Sequence, residues 1–75
     1  MDEETLDLNG LKCPLPALMA RRKLAGLAPG TRLIVTATDP LAVVDIPHMC
    51  AEEGHGVESV AKEGATSIFR IRRKD

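Results

Sequence analysis

Polar and apolar residues alternate over Thr5–Leu8, with Leu6 and Leu8 on one face, and Asn9-Gly10 follows as a turn signal. The chain therefore opens with a short β-strand. From Pro14 to Leu27 the period lengthens. Ala17, Ala20, Leu24 and Leu27 recur at helical spacing before Ala28-Pro29-Gly30, which predicts a first helix with those four residues toward the core. Arg32–Thr38 is dense in β-branched residues and predicts a second strand. Asp39-Pro40 then offers an N-cap with proline at the first helical position, opening a second helix that runs to about Glu53 and stops at Gly54. Val43, Ile46 and Cys50 share one side of it. Pro47 supplies no N–H, so this segment is either one kinked helix or two short pieces with Asp45 capping the restart. Gly56–Ala61 and Thr66–Arg72 predict two more strands, joined as a hairpin through residues 62–65.

The order βαβαββ predicts an α/β (α+β) fold, a two-layer sandwich with two helices on one face of a mixed four-stranded sheet. At 75 residues the chain is expected to form a single domain spanning positions 1–75. A chain of that length buries only about 60% of its unfolded surface. Its core must be aliphatic, because Phe69 is the sole aromatic residue.

Charge and composition remove several functional classes. A net charge of −1 argues against binding nucleic acid through bulk electrostatics, and one aromatic side chain gives little for bases to stack on. The basic end (Arg70, Arg72, Arg73, Lys74) is best explained as strand charge that discourages edge pairing, with a phosphate or partner patch as the other reading. No run reaches the roughly 18 apolar residues of a membrane span, and the N-terminal residues lack the pattern of a signal peptide. Two cysteines are too few for the disulfide framework of a small secreted domain, which favours a reducing, cytoplasmic setting.

The strongest chemical signal is Cys13-Pro14-Leu15-Pro16. A residue before proline is pushed away from helical angles, so Cys13 is expected at the cap, Pro14 at the first helical position and Pro16 within the first turn. The sulfur then faces the positive end of a helix, where thiolates are stabilised and the thiol pKa falls. Lys12, Arg21 and Arg22 are expected to add positive potential. A dithiol oxidoreductase places a second cysteine where this chain has Pro16. A lone reactive sulfur suits a covalent sulfur adduct held for a partner.

Other residues are assigned to structure. Cys50 is expected as a buried core thiol. His48 and His55 stand in no hydrolase or zinc spacing, and Asp39 and Asp45 are expected as helix caps rather than acids. Leu15, Leu18 and Met19 lie off the core stripe of the first helix beside Arg21 and Arg22, a pattern that predicts a docking surface around Cys13.

Three segments together resemble the TusA (SirA-like) sulfur carriers: G-L-K-C-P-L-P at the first helix, P-G before the second strand, and D-P-L-A-V-V-D-I-P-H-M-C. The resemblance runs from Leu6 to about Arg73. It implies a persulfide carrier of the relay type, with Cys13 bearing the sulfur and Pro14 and Pro16 completing the motif. A cysteine desulfurase or rhodanese-type protein would be the donor, and the thiol of a downstream sulfur-acceptor protein would receive the sulfur. Family members serve tRNA 2-thiouridine synthesis, molybdenum-cofactor sulfuration or sulfur oxidation. No cofactor, metal, membrane or direct nucleic-acid contact is expected, and the chain is expected to be a monomer. Two other classes stay open: an interaction module docking through the first helix, and a thiol-redox protein using Cys13 and Cys50.

Overall fold

In the computed structural model, which describes residues 2–75, six elements follow one another. They are β1 (Glu3–Leu8), α1 (Leu15–Ala25), β2 (Arg32–Ala37), α2 (Ala42–Glu53), β3 (Gly56–Glu63) and β4 (Thr66–Arg72). The strands form one sheet in the order β1-β2-β4-β3. β1 and β2 run parallel, with Leu6 opposite Val35 and Leu8 opposite Ala37, while β4 pairs antiparallel with both β2 and β3. The expected α+β sandwich with a mixed four-stranded sheet is the fold observed.

Alternation decides which sheet face is covered. Leu33, Val35 and Ala37 of β2 and Phe69 and Ile71 of β4 are fully buried, and they join Ala20 and Leu24 of α1 and Ile46 and Cys50 of α2 in one core. The intervening Ile34, Thr36 and Ile68 point to the other face and are half-buried. At one end of that face Arg32 and Arg72 sit directly opposite each other, a repulsive placement. A register shift in β3 between Val57 and Ser59 marks a bulge at Glu58, whose carboxylate accepts bonds from both, at 2.7 Å from Arg32 Nε and 2.9 Å from Arg72 Nε. Those contacts hold the Glu58 carboxyl below its usual range. Arg73 turns the other way, and its Nε donates to the Leu24 carbonyl at 3.0 Å, a cation at the negative end of α1. Arg72 and Arg73 are thus engaged structurally, and the expected role of this basic end in discouraging edge pairing does not hold, because β4 lies inside the sheet between β2 and β3.

Several expectations about the elements need correction. α1 begins at Leu15, with Pro14 as N-cap and Pro16 in the second helical position, and it ends at Ala25 rather than Leu27. Pro14 still serves the helix, because its carbonyl accepts the Leu18 N–H at 3.2 Å. α2 begins at Ala42, so Asp39-Pro40 forms the preceding turn and neither Asp39 nor Asp45 is a cap. The helix is continuous through Pro47, which resolves the alternative left open by the sequence. Its buried stripe is Ala42, Ile46, Met49 and Cys50, whereas Val43 is 41% exposed. A small alanine and a methionine carry the core side there, which the larger Val43 concealed. β3 extends to Glu63, leaving a two-residue loop whose first member, Gly64, has φ +60°, a conformation that favours glycine.

Candidate functional site

β1 and β2 are parallel neighbours, so the loops that leave their C-terminal ends must emerge side by side. The first carries Cys13 and the second Thr38 and Asp39. Hydrogen bonds stitch the two loops together: the Gly10 N–H donates to Thr38 Oγ1 at 2.8 Å, and the Cys13 N–H donates to Asp39 Oδ2 at 3.0 Å. Cys13 itself lies just ahead of the α1 N-cap, joined to Pro14 by a cis peptide, and its side chain is exposed.

The electrostatics at this sulfur reverse the sequence expectation. Cys13 Sγ donates a hydrogen bond to Asp45 Oδ2 of α2 at 3.0 Å. The thiol pKa is raised above its ordinary value, first by that bond, then by local desolvation and by the charges of Asp45 and Asp39. The helix terminus does not compensate. Pro14 and Pro16 carry no N–H, and the Leu15 N–H is already bonded to the Lys12 carbonyl at 2.8 Å. The prolines that fix the helix start therefore remove donors that would have favoured a thiolate. The Cys13 side chain is thus turned toward a carboxylate, which disfavours its thiolate.

Cys13, Pro14, Leu18, Arg21 and Asp45 line a cleft of about 280 Å³ between the start of α1 and α2. His48 and Glu52 stand on its α2 side and face each other at 3.5 Å. A groove of about 610 Å³ adjoins it, lined by Leu15, Leu18, Met19, Arg21 and Arg22 with Ala25 and Glu53. The three apolar residues are 41–46% exposed, and Leu18 and Arg21 belong to both depressions. The five residues singled out from sequence thus share one surface beside Cys13. Lys12 is exposed and lines neither depression. Cys50 is fully buried among core residues, and burial pushes its thiol up to about 11. Among the described residues no three His, Cys, Asp or Glu side chains are placed to share a metal ion.

Sequence reasoning missed Asp39 and Asp45 as neighbours of the sulfur. A signal was available for Asp39, because a parallel βαβ unit puts both post-strand loops at one sheet edge. For Asp45 it was weaker, since a residue on α2 comes within reach only once the helix pair is packed.

The geometry defines a class: a small α+β sandwich presenting one exposed thiol in a cleft between two helices, its second thiol sealed in the core. The family model described as Sulfurtransferase TusA matches residues 4–73, and the chain belongs to that family. It is 44% identical over 69 residues to the sulfur carrier protein TusA of Pseudomonas paraeruginosa, an alignment covering 92% of this chain and 87% of that protein. The sulfur carrier protein TusA of Pseudomonas entomophila is 40% identical over 72 residues, covering 96% and 90%. The crystal structure of a SirA-like protein from Desulfitobacterium hafniense superposes with a TM-score of 0.82 at 23% identity, covering 96% of this chain and 99% of that one, which supports the fold.

Proposed function

We propose that this protein carries sulfane sulfur as a persulfide on Cys13, accepting it from a cysteine desulfurase or rhodanese-type donor and relaying it to the thiol of an acceptor protein. The observation that carries the reading is a single exposed cysteine at the mouth of a cleft, with no second cysteine thiol lining that cleft to resolve an adduct. In the loading step the Cys13 sulfur attacks the outer sulfur of the donor's persulfide. A new S–S bond forms as the donor's S–S bond breaks, and the departing donor thiolate takes up a proton equivalent to the one Cys13 releases. Sulfur changes hands with no net oxidation or reduction. Delivery to the acceptor repeats the same exchange with Cys13 as the leaving thiolate.

The groove lined by Leu15, Leu18, Met19, Arg21 and Arg22 is the surface on which donor and acceptor would dock. Because it adjoins the Cys13 cleft, a partner seated there meets the sulfur. The cytoplasm is the compartment that suits such a carrier, since it keeps both cysteines reduced between transfers. tRNA thiolation, cofactor sulfuration and sulfur oxidation are the routes open to the acceptor. A disulfide-forming role with Cys50 is disfavoured by that residue's complete burial.

Incubation with a desulfurase and cysteine, followed by mass spectrometry, tests the proposal. The peptide containing Cys13 should gain the mass of one sulfur atom, and cyanolysis should release it as thiocyanate. Cys13→Ser should gain none. Loading that survives Cys13→Ser would refute the assignment, and an unmodified wild-type chain would favour an interaction module without transfer.

A further inference from the structure

The two carboxylates around Cys13 contact it differently, and only one contact depends on what the sulfur carries. Asp39 accepts the Cys13 main-chain N–H, a bond indifferent to loading. Asp45 accepts the proton-bearing sulfur itself, with Sγ to Oδ2 at 3.0 Å. Loading replaces the hydrogen on Sγ by a second sulfur, so the atom that donated has nothing left to donate. The ionisable proton now belongs to the outer sulfur, and a persulfide is a stronger acid than its parent thiol, so the loaded group carries more negative charge at neutral pH than the thiol it replaces. A carboxylate within hydrogen-bonding distance of Sγ then becomes a repulsive neighbour.

We propose, resting on the persulfide-carrier reading, that Asp45 is a positioning residue that distinguishes the two states of Cys13. Its carboxylate holds the unloaded thiol toward α2 and repels the loaded persulfide, turning the outer sulfur away from the α2 wall of the cleft toward the α1 wall, where Arg21 supplies positive charge. His48 and Glu52 on the same side pair with each other and leave Asp45 as the acidic partner of the sulfur.

A thermodynamic consequence follows. Asp45 stabilises the empty carrier and destabilises the full one, so it weakens the hold on sulfur and favours delivery. The exchange is Cys13–SH plus a low-molecular-weight persulfide giving Cys13–S–SH plus the corresponding thiol, balanced in atoms and electrons. Removing the Asp45 charge should move this equilibrium toward the loaded form.

The experiment equilibrates wild type, Asp45→Asn and Asp39→Asn with a fixed ratio of glutathione persulfide to glutathione and reads the loaded fraction by intact mass. Alkylation rate against pH is measured on the same unloaded samples. Asp45→Asn should raise the ratio of loaded to unloaded chain by about threefold or more, the equivalent of roughly half a pKa unit, and should lower the Cys13 alkylation midpoint in parallel. Asp39→Asn, which alters a main-chain partner, should move both readouts less. A loaded ratio for Asp45→Asn equal to wild type, or an equal shift for Asp39→Asn, overturns the role given to Asp45 while the carrier reading stands. A wild-type chain that takes up no sulfur overturns both. Should circular dichroism show Asp45→Asn unfolded, Asp45→Ser carries the same comparison with the same deciding outcomes.

Discussion

Two cysteines in one small chain meet opposite fates because of where their side chains end. Cys13 is exposed but hydrogen-bonded to a carboxylate, whereas Cys50 is sealed among Ile46, Leu24 and the sheet. Both thiols are raised, for different reasons: a charged acceptor at Cys13 and burial at Cys50. A raised thiol pKa keeps the group protonated further up the pH scale, so the thiolate fraction at neutrality falls. Cys13 should therefore alkylate with a midpoint above the ordinary cysteine value of about 8.5. Cys50 should stay unmodified under native conditions and react once denaturant opens the core. Peptide-resolved alkylation across a pH series checks both statements. A Cys13 midpoint below the ordinary value would mean that the helix terminus outweighs Asp45 after all.

At the level of elements, what was legible in the sequence is what short-range periodicity encodes. The order of the six elements, the stop at Gly54 and the buried Ala20, Leu24, Ile46 and Cys50 follow from spacing alone. Tertiary placement is different in kind. Cys13 and Asp45 are 32 positions apart, and their contact exists only because α2 lies beside the start of α1. Asp39 and Asp45 matched the chemistry of caps, and the sequence held no local mark of their second use. The junction between α2 and the C-terminal residues is likewise non-local. The His55 N–H donates to the Cys50 carbonyl at 2.8 Å, while His55 Nδ1 accepts the Lys74 N–H at 3.1 Å. Burial first, then the charges of Arg73 and Lys74, lower the His55 pKa against a smaller opposing effect of Glu53. A depressed folded pKa favours the neutral ring, so its stabilising effect is complete above the unfolded value of about 6.5. That contribution is lost as pH falls from there through the folded value, because the unfolded chain binds the proton first. Melting temperature should drop between neutral pH and mild acid. His55→Asn, which keeps an acceptor but does not titrate, should flatten the drop. Identical pH profiles for the two proteins would remove His55 as its source.

For the molecule as a whole, the sheet and core leave one side of the helix pair unpartnered, and the exposed Cys13 sulfur opens onto that side. A carrier must give its cargo to different proteins, so recognition has to surround the transferred atom instead of lying elsewhere on the surface. The groove beside the cleft meets this requirement with exposed Leu15 and Met19 and with Arg22 at its edge. Leu18 and Arg21 line the Cys13 cleft as well, so changes there would mix docking with chemistry. Met19 and Arg22 line only the groove and separate the two. A desolvated apolar anchor governs how long a complex lasts, while a rim charge mainly governs how often it forms and how it responds to salt. Met19→Glu should slow sulfur transfer from a protein donor severalfold at any ionic strength, and Arg22→Glu should slow it chiefly at low salt. Neither should alter loading by glutathione persulfide, because that donor needs no docking surface. Both variants should fold, since Met19 is 41% exposed and Arg22 is exposed. Transfer kinetics from both donors, with circular dichroism as the folding control, decide the matter. Equal slowing with the small and the protein donor would place these residues in the chemistry of Cys13, and no slowing with either would move the docking surface off this groove.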